Sequence, residues 1–397
     1  MRRVALLCTP ETGHFGRMRG IIAHIAAAGA EVAVFTHRRF QREVEALGGT
    51  FHDVYGRFPI EEADNESHPV SCRHVSHAGR FAEQVASELR ALDPAVVVYD
   101  SFAVIGLVAA RLLERPYVCV CSGHNLNPAR FLEMLPRDPR VKLSPRCHEA
   151  VARLRERYGL ADASPFSYVS TLSPHLNVYG EPPEYLDPVA REAFEPVAFF
   201  GSLAKLDAPP PGRSPFGDAN GVRRIYVSFG TVIWRYYAQE ALRALEALGE
   251  AFARRRDVRV LVSLGGNAAE VRGLASGNVR VEGYVDQWRA LSEADLFVTH
   301  HGLNSTHEAA YWRVPMLSYP FFWDQPALAA KCAELGVAVP LARELRAPIS
   351  ARDVEDALDR VDAQRDAMRG RLAAARSFEE QVLAGRAAVT RRILDLA

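Results

Sequence analysis

The chain is predicted to be α/β, with two doubly wound domains, each a mostly parallel sheet covered by helices on both faces. Three observations predict this. Apolar runs of strand length alternate with helix-period segments from the first residues onward. The alternation breaks once, in a Pro-, Gly- and Ser-rich stretch, and then restarts. At 397 residues the chain is long enough for two domains of ordinary size.

In the first half, strands are expected at Arg3–Thr9, Glu31–Thr36, Thr50–Val54, Ala95–Tyr99 and Tyr117–Cys121. Helices are expected at Arg17–Ala28, Arg38–Leu47, Val75–Leu92 and Ala103–Glu114, with Gly29 placed to end the first of them. The pattern is irregular from about Asn125 to Phe200. The stretch 208–221 opens on Ala-Pro-Pro-Pro-Gly and cannot continue a helix or a central strand, so it reads as a linker. Beyond it, strands are expected at Arg224–Phe229, Val258–Leu264, Val279–Glu282, Leu296–Thr299 and Met316–Tyr319. Helices are expected at Ala238–Arg254, Gln287–Ala294, Leu303–Trp312 and Gln325–Leu335, and two polar ones at Ala351–Arg376 and Phe378–Leu394. The expected division is an N-terminal domain over 1–207, the linker over 208–221, a C-terminal domain over 222–376, and a last helix in 377–397 that packs back on the first domain. Two such Rossmann-like domains would leave an interdomain cleft at the carboxyl ends of their sheets, where open α/β sheets bind ligands.

Hydrophobic residues make up 48% and charged residues 24%, as in soluble globular proteins. The 48 basic and 48 acidic side chains cancel, which gives no support to nucleic acid or an anionic membrane as the main partner. Lysine occurs only at Lys142, Lys205 and Lys331, and with the abundant alanine this hints at a GC-rich bacterial genome. The cysteines show no CxxC or Cys/His cluster, so buried thiols are expected rather than disulfides or a metal site. The start reads as a first strand, not a signal peptide. The most apolar stretch, Ala95 to Leu113, carries Asp100 and Arg111 and does not read as a membrane span. A cytoplasmic protein is expected.

The most informative segment is Ala294–Ala330. An apolar run ends in Thr299-His300-His301-Gly302 and a helix opens at Leu303-Asn304-Ser305. A strand that hands over to a helix N-terminus at a glycine is an anion site, because free N–H groups and the helix dipole point at the same spot. Glu308 shares a helix face with Asn304 and Ser305. A second apolar run ends near Pro320, and Asp324-Gln325 stands at the next helix start. Asn304-Ser305-Thr306 also matches a glycosylation sequon, but reads better as a helix N-terminus. In the first half, His14 lies in Glu11-Thr-Gly-His, between the first strand and the first helix, and Asp100 ends the fourth strand.

These motifs carry a resemblance. The order VSFGT (Val227–Thr231), YVDQ (Tyr284–Gln287), THHGLNSTHE (Thr299–Glu308) and WDQ (Trp323–Gln325) is similar to that of family 1 nucleotide-sugar-dependent glycosyltransferases of the GT-B fold. The bacterial macrolide and natural-product enzymes are the nearest in pattern, and the likeness spans the full length. The resemblance implies that Gln287 and the Val285 backbone hold the nucleotide base, with Tyr284 where a stacking Trp is usual and Asp286 in place of a Pro. It implies that His300, Gly302, Asn304 and Ser305 bind the diphosphate, with Thr231 on a facing loop, that Glu308 accepts from the ribose, and that Asp324 and Gln325 hold the donor sugar. It implies His14 as general base and Asp100 as the carboxylate that orients it, with Arg17 where a Pro is frequent. The implied reaction is inverting O-glycosyl transfer from a UDP- or dTDP-sugar to a hydroxyl of a small bacterial natural product such as a macrolide or polyketide. No metal or other cofactor is implied, and a homodimer is compatible. A nucleotide-sugar epimerase of the same fold, or a catalytically silent relative that binds the nucleotide sugar or activates a partner, are the alternatives.

Bland readings stand beside these. His14 could be a solvated loop residue, Asp100 a strand-end turn residue and Asp324 only a helix N-cap. His300 beside His301 could be a metal pair, but neighbouring residues point apart and no third ligand is evident. The His-rich stretch 57–77 reads equally as a surface loop or an acceptor lid. Phe15, Phe102, Asn125, Phe131 and Met134 are weaker candidates for an acceptor wall.

Overall fold

The computed structural model describes the chain except residues 1, 62–71, 125–126, 138–140, 205–207, 210–211, 220 and 267–273. Two compact units divide it: Met1–Ala204 with Val382–Ala397, and Lys205–Gln381.

The first unit begins β1 (Arg3–Leu7), α1 (Thr12–Ala27), β2 (Glu31–Thr36), α2 (Gln41–Ala46), β3 (Thr50–Asp53), α3 (Arg73–Leu92), β4 (Val96–Asp100), α4 (Val104–Leu112) and β5 (Tyr117–Cys121). It continues α5 (Pro128–Met134), α6 (Pro145–Glu156), α7 (Ser167–Ser170), β6 (Leu176–Tyr179), α8 (Pro188–Arg191) and β7 (Val197–Phe199). All strands pair in parallel, in the order β3-β2-β1-β4-β5-β6-β7. The central strands are buried on both faces, which is why β1 (RVALL) and β4 (VVVYD) read as unbroken apolar runs rather than alternating ones.

The second unit runs β8 (Arg223–Ser228), α9 (Ile233–Tyr236), α10 (Ala238–Ala253), β9 (Val258–Ser263), β10 (Val279–Glu282), α11 (Gln287–Glu293) and β11 (Leu296–Thr299). Then come α12 (Leu303–Trp312), β12 (Met316–Ser318), α13 (Gln325–Glu334), β13 (Ala338–Pro340), α14 (Ala351–Ala363) and α15 (Arg365–Ala384), and the chain closes with α16 (Arg386–Leu394), outside this unit. Its parallel sheet has the order β10-β9-β8-β11-β12-β13.

Each sheet reverses its winding once, between β1 and β4 and between β8 and β11. Loops leaving the carboxyl ends of two such strands part in opposite directions and open a crevice, so each unit has one position built for a ligand.

The last helix, α16, belongs to the first unit. Val389, Ile393 and Leu394 join the core that Phe15, Ile21, Ile22 and Phe200 form over the sheet. Arg386 stacks on Phe200 with its Cζ 4.5 Å from the ring centroid. It also donates to the Phe200, Gly201 and Leu203 carbonyls at 2.8, 3.2 and 2.6 Å.

Several elements differ from expectation. The stretch expected to be irregular holds β6, β7 and α6. In β6 the apolar pattern is broken by Asn177, which is fully buried because its amide donates to the Ser173 and Phe194 carbonyls at 2.8 and 3.0 Å and accepts from the Ser173 N–H at 2.8 Å. Strand β13 ends in Pro340 at the sheet edge, where a missing N–H costs no ladder bond. The C-terminal helices break at Gln364 and Gly385, not at Ser377, which lies inside α15. Among the described residues no helix is long and apolar enough to cross a membrane, and all six cysteines are buried.

Candidate active site

In the first unit, the crevice between β1 and β4 gathers His14 and Asp100. His14 is not in a loop as expected: α1 begins at Thr12, which puts His14 on its first turn with Glu11 as N-cap residue. Its Nδ1 lies 3.0 and 2.9 Å from the two carboxylate oxygens of Asp100. Asp100 is fully buried at the end of β4, and Phe102 N–H donates to it at 2.9 Å. Burial pushes the Asp100 carboxyl up, but His14, the Arg17 guanidinium and the Phe102 amide outweigh it and hold it below the usual carboxylate range. An ionised Asp100 fixes the tautomer: Nδ1 carries the proton and donates, and Nε2 is the basic nitrogen. The Phe102 ring meets the imidazole edge-on at 4.6 Å, which fixes the plane of the base.

A second charged cluster surrounds this pair. Arg73, the first residue of α3, donates to Glu11 at 2.7 Å. His74 Nε2 lies 3.6 Å from the same carboxylate oxygen, and the His74 ring is edge-on to Phe102 at 5.8 Å. Burial opposes ionisation of Glu11, but its cationic surroundings, with the Arg73 guanidinium bonded to it, hold it well below the usual range. Burial keeps His74 neutral, with its pKa pushed down to about 3. Glu11 sits three residues before His14 and was legible in principle; of the stretch 57–77, residues 62–71 lie outside the described residues, and Arg73 to His77 form the first turns of α3 rather than a loop. At the ends of β5 and β6, His124 Nδ1 and Glu181 form another buried pair at 2.9 Å. Of the acceptor-wall candidates, Phe15 belongs to the core, stacked on Phe40 at 4.1 Å. Phe131 is buried, Met134 is exposed, and Asn125 lies outside the described residues.

In the second unit, the crevice between β8 and β11 holds the other expected residues. Gly302 is the N-cap residue of α12 and offers no side chain to cap it, so the first-turn N–H groups of Asn304 and Ser305 have no side-chain cap from that position. The His300 ring is pressed against two glycines. A Cβ at Gly230 or Gly302 would stand 2.7 or 2.6 Å from Nε2, so only glycine at both admits the imidazole edge. Burial keeps His300 neutral, pushed down to about 4. His301 does something different: at φ 60° it turns into the protein, with Nδ1 3.2 Å from Thr306 Oγ1 and Nε2 2.7 Å from Ser318 Oγ. It ties α12 to β12 and is structural. His307 is buried against Glu379 at 2.6 Å.

The structure joins three residues whose expected roles were separate. The Gln287 amide donates to Glu308 Oε2 at 2.8 Å and to Ser305 Oγ at 3.1 Å. Asp286 accepts from Arg289 N–H at 3.3 Å and caps α11, which accounts for an acid at that position. Tyr284 is 75% exposed, so its ring face is open for stacking, and Thr231 is exposed as well. Val285 is buried. Asp324 occupies the N-cap position of α13 without capping it. Gln325 Oε1 accepts from the Phe321 and Phe322 N–H groups at 3.0 and 3.3 Å, which commits its oxygen to the turn and leaves only its amide nitrogen for a ligand.

Glu308 is the group here with a testable titration. Burial, with Asp286 adding to it, raises its pKa to about 7 despite the Gln287 hydrogen bond. A carboxyl raised in the folded state contributes stability that is present below its unfolded pKa, about 4.5, and lost as pH rises through about 7. Glu308→Gln keeps the neutral form at every pH. The melting temperature of the nucleotide-free variant, measured by calorimetry relative to the parent, is therefore expected to rise steadily from about pH 5 to about pH 8. A constant difference over that range would show that Glu308 does not titrate there.

Residues 198–369 match the family described as UDP-glucoronosyl and UDP-glucosyl transferase. An uncharacterized UDP-glucosyltransferase, YdhE of Bacillus subtilis strain 168, is 24% identical over 91% of this chain and 90% of its own. The solved glycotransferase of kitacinnamycin superposes with a TM-score of 0.77 at 20% identity, covering 98% of both chains. The glycosyltransferase VinC, solved in complex with dTDP, gives 0.69 at 18% identity and covers all of both chains. At these identities the solved structures establish the fold, two Rossmann-like units of the GT-B type.

Proposed function

We propose that this glycosyltransferase, whose residues 198–369 match the UDP-glucoronosyl and UDP-glucosyl transferase family, moves a sugar from a UDP- or dTDP-linked donor to a hydroxyl of a small natural product in one inverting step. The observation that carries the reading is the His14–Asp100 pair: a base whose Nδ1 is bound to a buried, ionised carboxylate at the switch point of its sheet. The acceptor O–H gives its proton to His14 Nε2 as its oxygen attacks the anomeric carbon. That carbon's bond to the diphosphate oxygen breaks on the opposite side, so the configuration inverts. The departing diphosphate is received by the first turn of α12 and by His300, dipoles already in place before charge develops. His300, neutral in this pocket, serves as a hydrogen-bond donor rather than a cation. Asp324 and Gln325 hold the donor sugar, Glu308 the ribose, and Tyr284 with the Val285 backbone the base. Gln287 acts by orienting Glu308 and Ser305.

A thermal-shift panel of UDP, dTDP, their glucose conjugates and NADP tests the donor half. A diphosphate nucleoside at about 100 times its Kd adds about 2.7 kcal/mol to folding, which corresponds to a rise of several degrees. Stabilisation by UDP or dTDP is expected. Stabilisation by NADP alone would overturn the assignment.

A further inference from the structure

We propose that Arg17 is a positioning residue for the transfer step: it shares the Asp100 carboxylate with His14 and disfavours the protonated base, a role that rests on the reading of His14 as that base. Arg17 lies one turn beyond His14 on the same face of α1. Its side chain is 8% exposed and its Nε has no hydrogen-bond partner. Its Nη2 stands 3.9 Å from Asp100 Oδ2, the oxygen that His14 Nδ1 approaches to 2.9 Å. At 3.9 Å the guanidinium acts as a charge, not as a hydrogen-bond donor. A buried cation is ordinarily clothed in hydrogen bonds, because desolvating it is costly. Here the cost is borne beside a carboxylate already occupied by an imidazole and an amide.

The electrostatics follow from one carboxylate facing two cations whenever His14 is protonated. The fixed guanidinium competes with an imidazolium for that carboxylate. The other groups around the pair do not replace this charge. Glu11 and Arg73 neutralise one another, and burial keeps His74 neutral. Burial raises the Cys8 thiol and the Tyr55 phenol, and Cys121, hydrogen-bonded to Cys119, is raised too, so all three are uncharged.

The test is the titration of the His14 imidazole followed by NMR in the full-length parent, Arg17→Met and Arg17→Lys. Loss of the cation stabilises imidazolium, so Arg17→Met is expected to move the His14 midpoint up by roughly one pH unit, and Arg17→Lys to leave it in place. The acid limb of kcat/KM for donor hydrolysis should move up with it. An unmoved or lowered midpoint in Arg17→Met, or equal shifts in both variants, would overturn the inference, as would a lower plateau with an unmoved limb. Should Arg17→Met not fold, Arg17→Gln makes the same comparison against Arg17→Lys. His14→Ala separates the two claims: full turnover in that variant would remove the base, while the titration would still report on Arg17.

Discussion

His14→Ala is expected to lower turnover by about 10²- to 10⁴-fold, the range for removing a positioned general base, while affinity for UDP or dTDP stays unchanged. The split follows from where His14 sits. It lies on α1 of the first unit, bound to Asp100 on β4, whereas the residues proposed to hold the diphosphate belong to the second unit. The loss should fall on the chemical step, so single-turnover transfer slows as much as steady-state turnover and KM for the donor is little changed. Calorimetric titration with the nucleotide checks the second half. A variant that loses nucleotide affinity, or that keeps its turnover, would show that His14 is not the base.

The second large effect is expected in the other unit. His300→Ala removes a donor to a charged oxygen, worth about 1.5–3 kcal/mol, or roughly 10- to 150-fold in nucleotide affinity. Gly302→Ala should weaken binding in the same direction without touching the imidazole itself, because the new Cβ would sit 2.6 Å from Nε2 and force the ring aside. The backbone does not resist the change, since Gly302 has φ −63°. The two substitutions should not add. In an His300→Ala background, Gly302→Ala is expected to be nearly silent, whereas independent sites would sum. Additive losses in a double-mutant cycle would separate the glycine from the histidine and leave the packing of the crevice unexplained.

Legibility in the sequence followed physical cause. Strands buried along nearly their whole length, such as β1, β4 and β11, carry polar residues only at their ends and were visible as apolar runs. Helix α12 was found at its true limits because a glycine and a polar first turn mark its start. Strand β6 was hidden by Asn177, whose burial is permitted only by partners that tertiary structure supplies. The irregular reading passed over α6 although Ser144 and Pro145 announce it; Ser144 accepts from Cys147 N–H and Pro145 opens the helix.

The site was legible wherever it is local. His14 and Asp100 each stand at a strand's carboxyl end, and the sheet order then places them side by side. The clasp of Gln287 on Glu308 and Ser305 was not, because it joins residues 21 and 18 positions apart whose individual motifs give no sign of each other. The Glu11–Arg73–His74 cluster was hidden for the same reason, since Arg73 lies 62 positions from Glu11. Arg17 was visible only as an unusual residue; its meaning depends on the oxygen it shares with His14.

The most direct measurement uses water as the acceptor, so that no natural acceptor need be known. The enzyme is given UDP-α-glucose or dTDP-α-glucose, and the anomer of glucose that forms first is read by proton NMR before it mutarotates. A single displacement by a nucleophile that His14 deprotonates releases β-glucose first, at a rate that collapses in His14→Ala. Release of α-glucose, or hydrolysis that runs equally fast in His14→Ala, would contradict it.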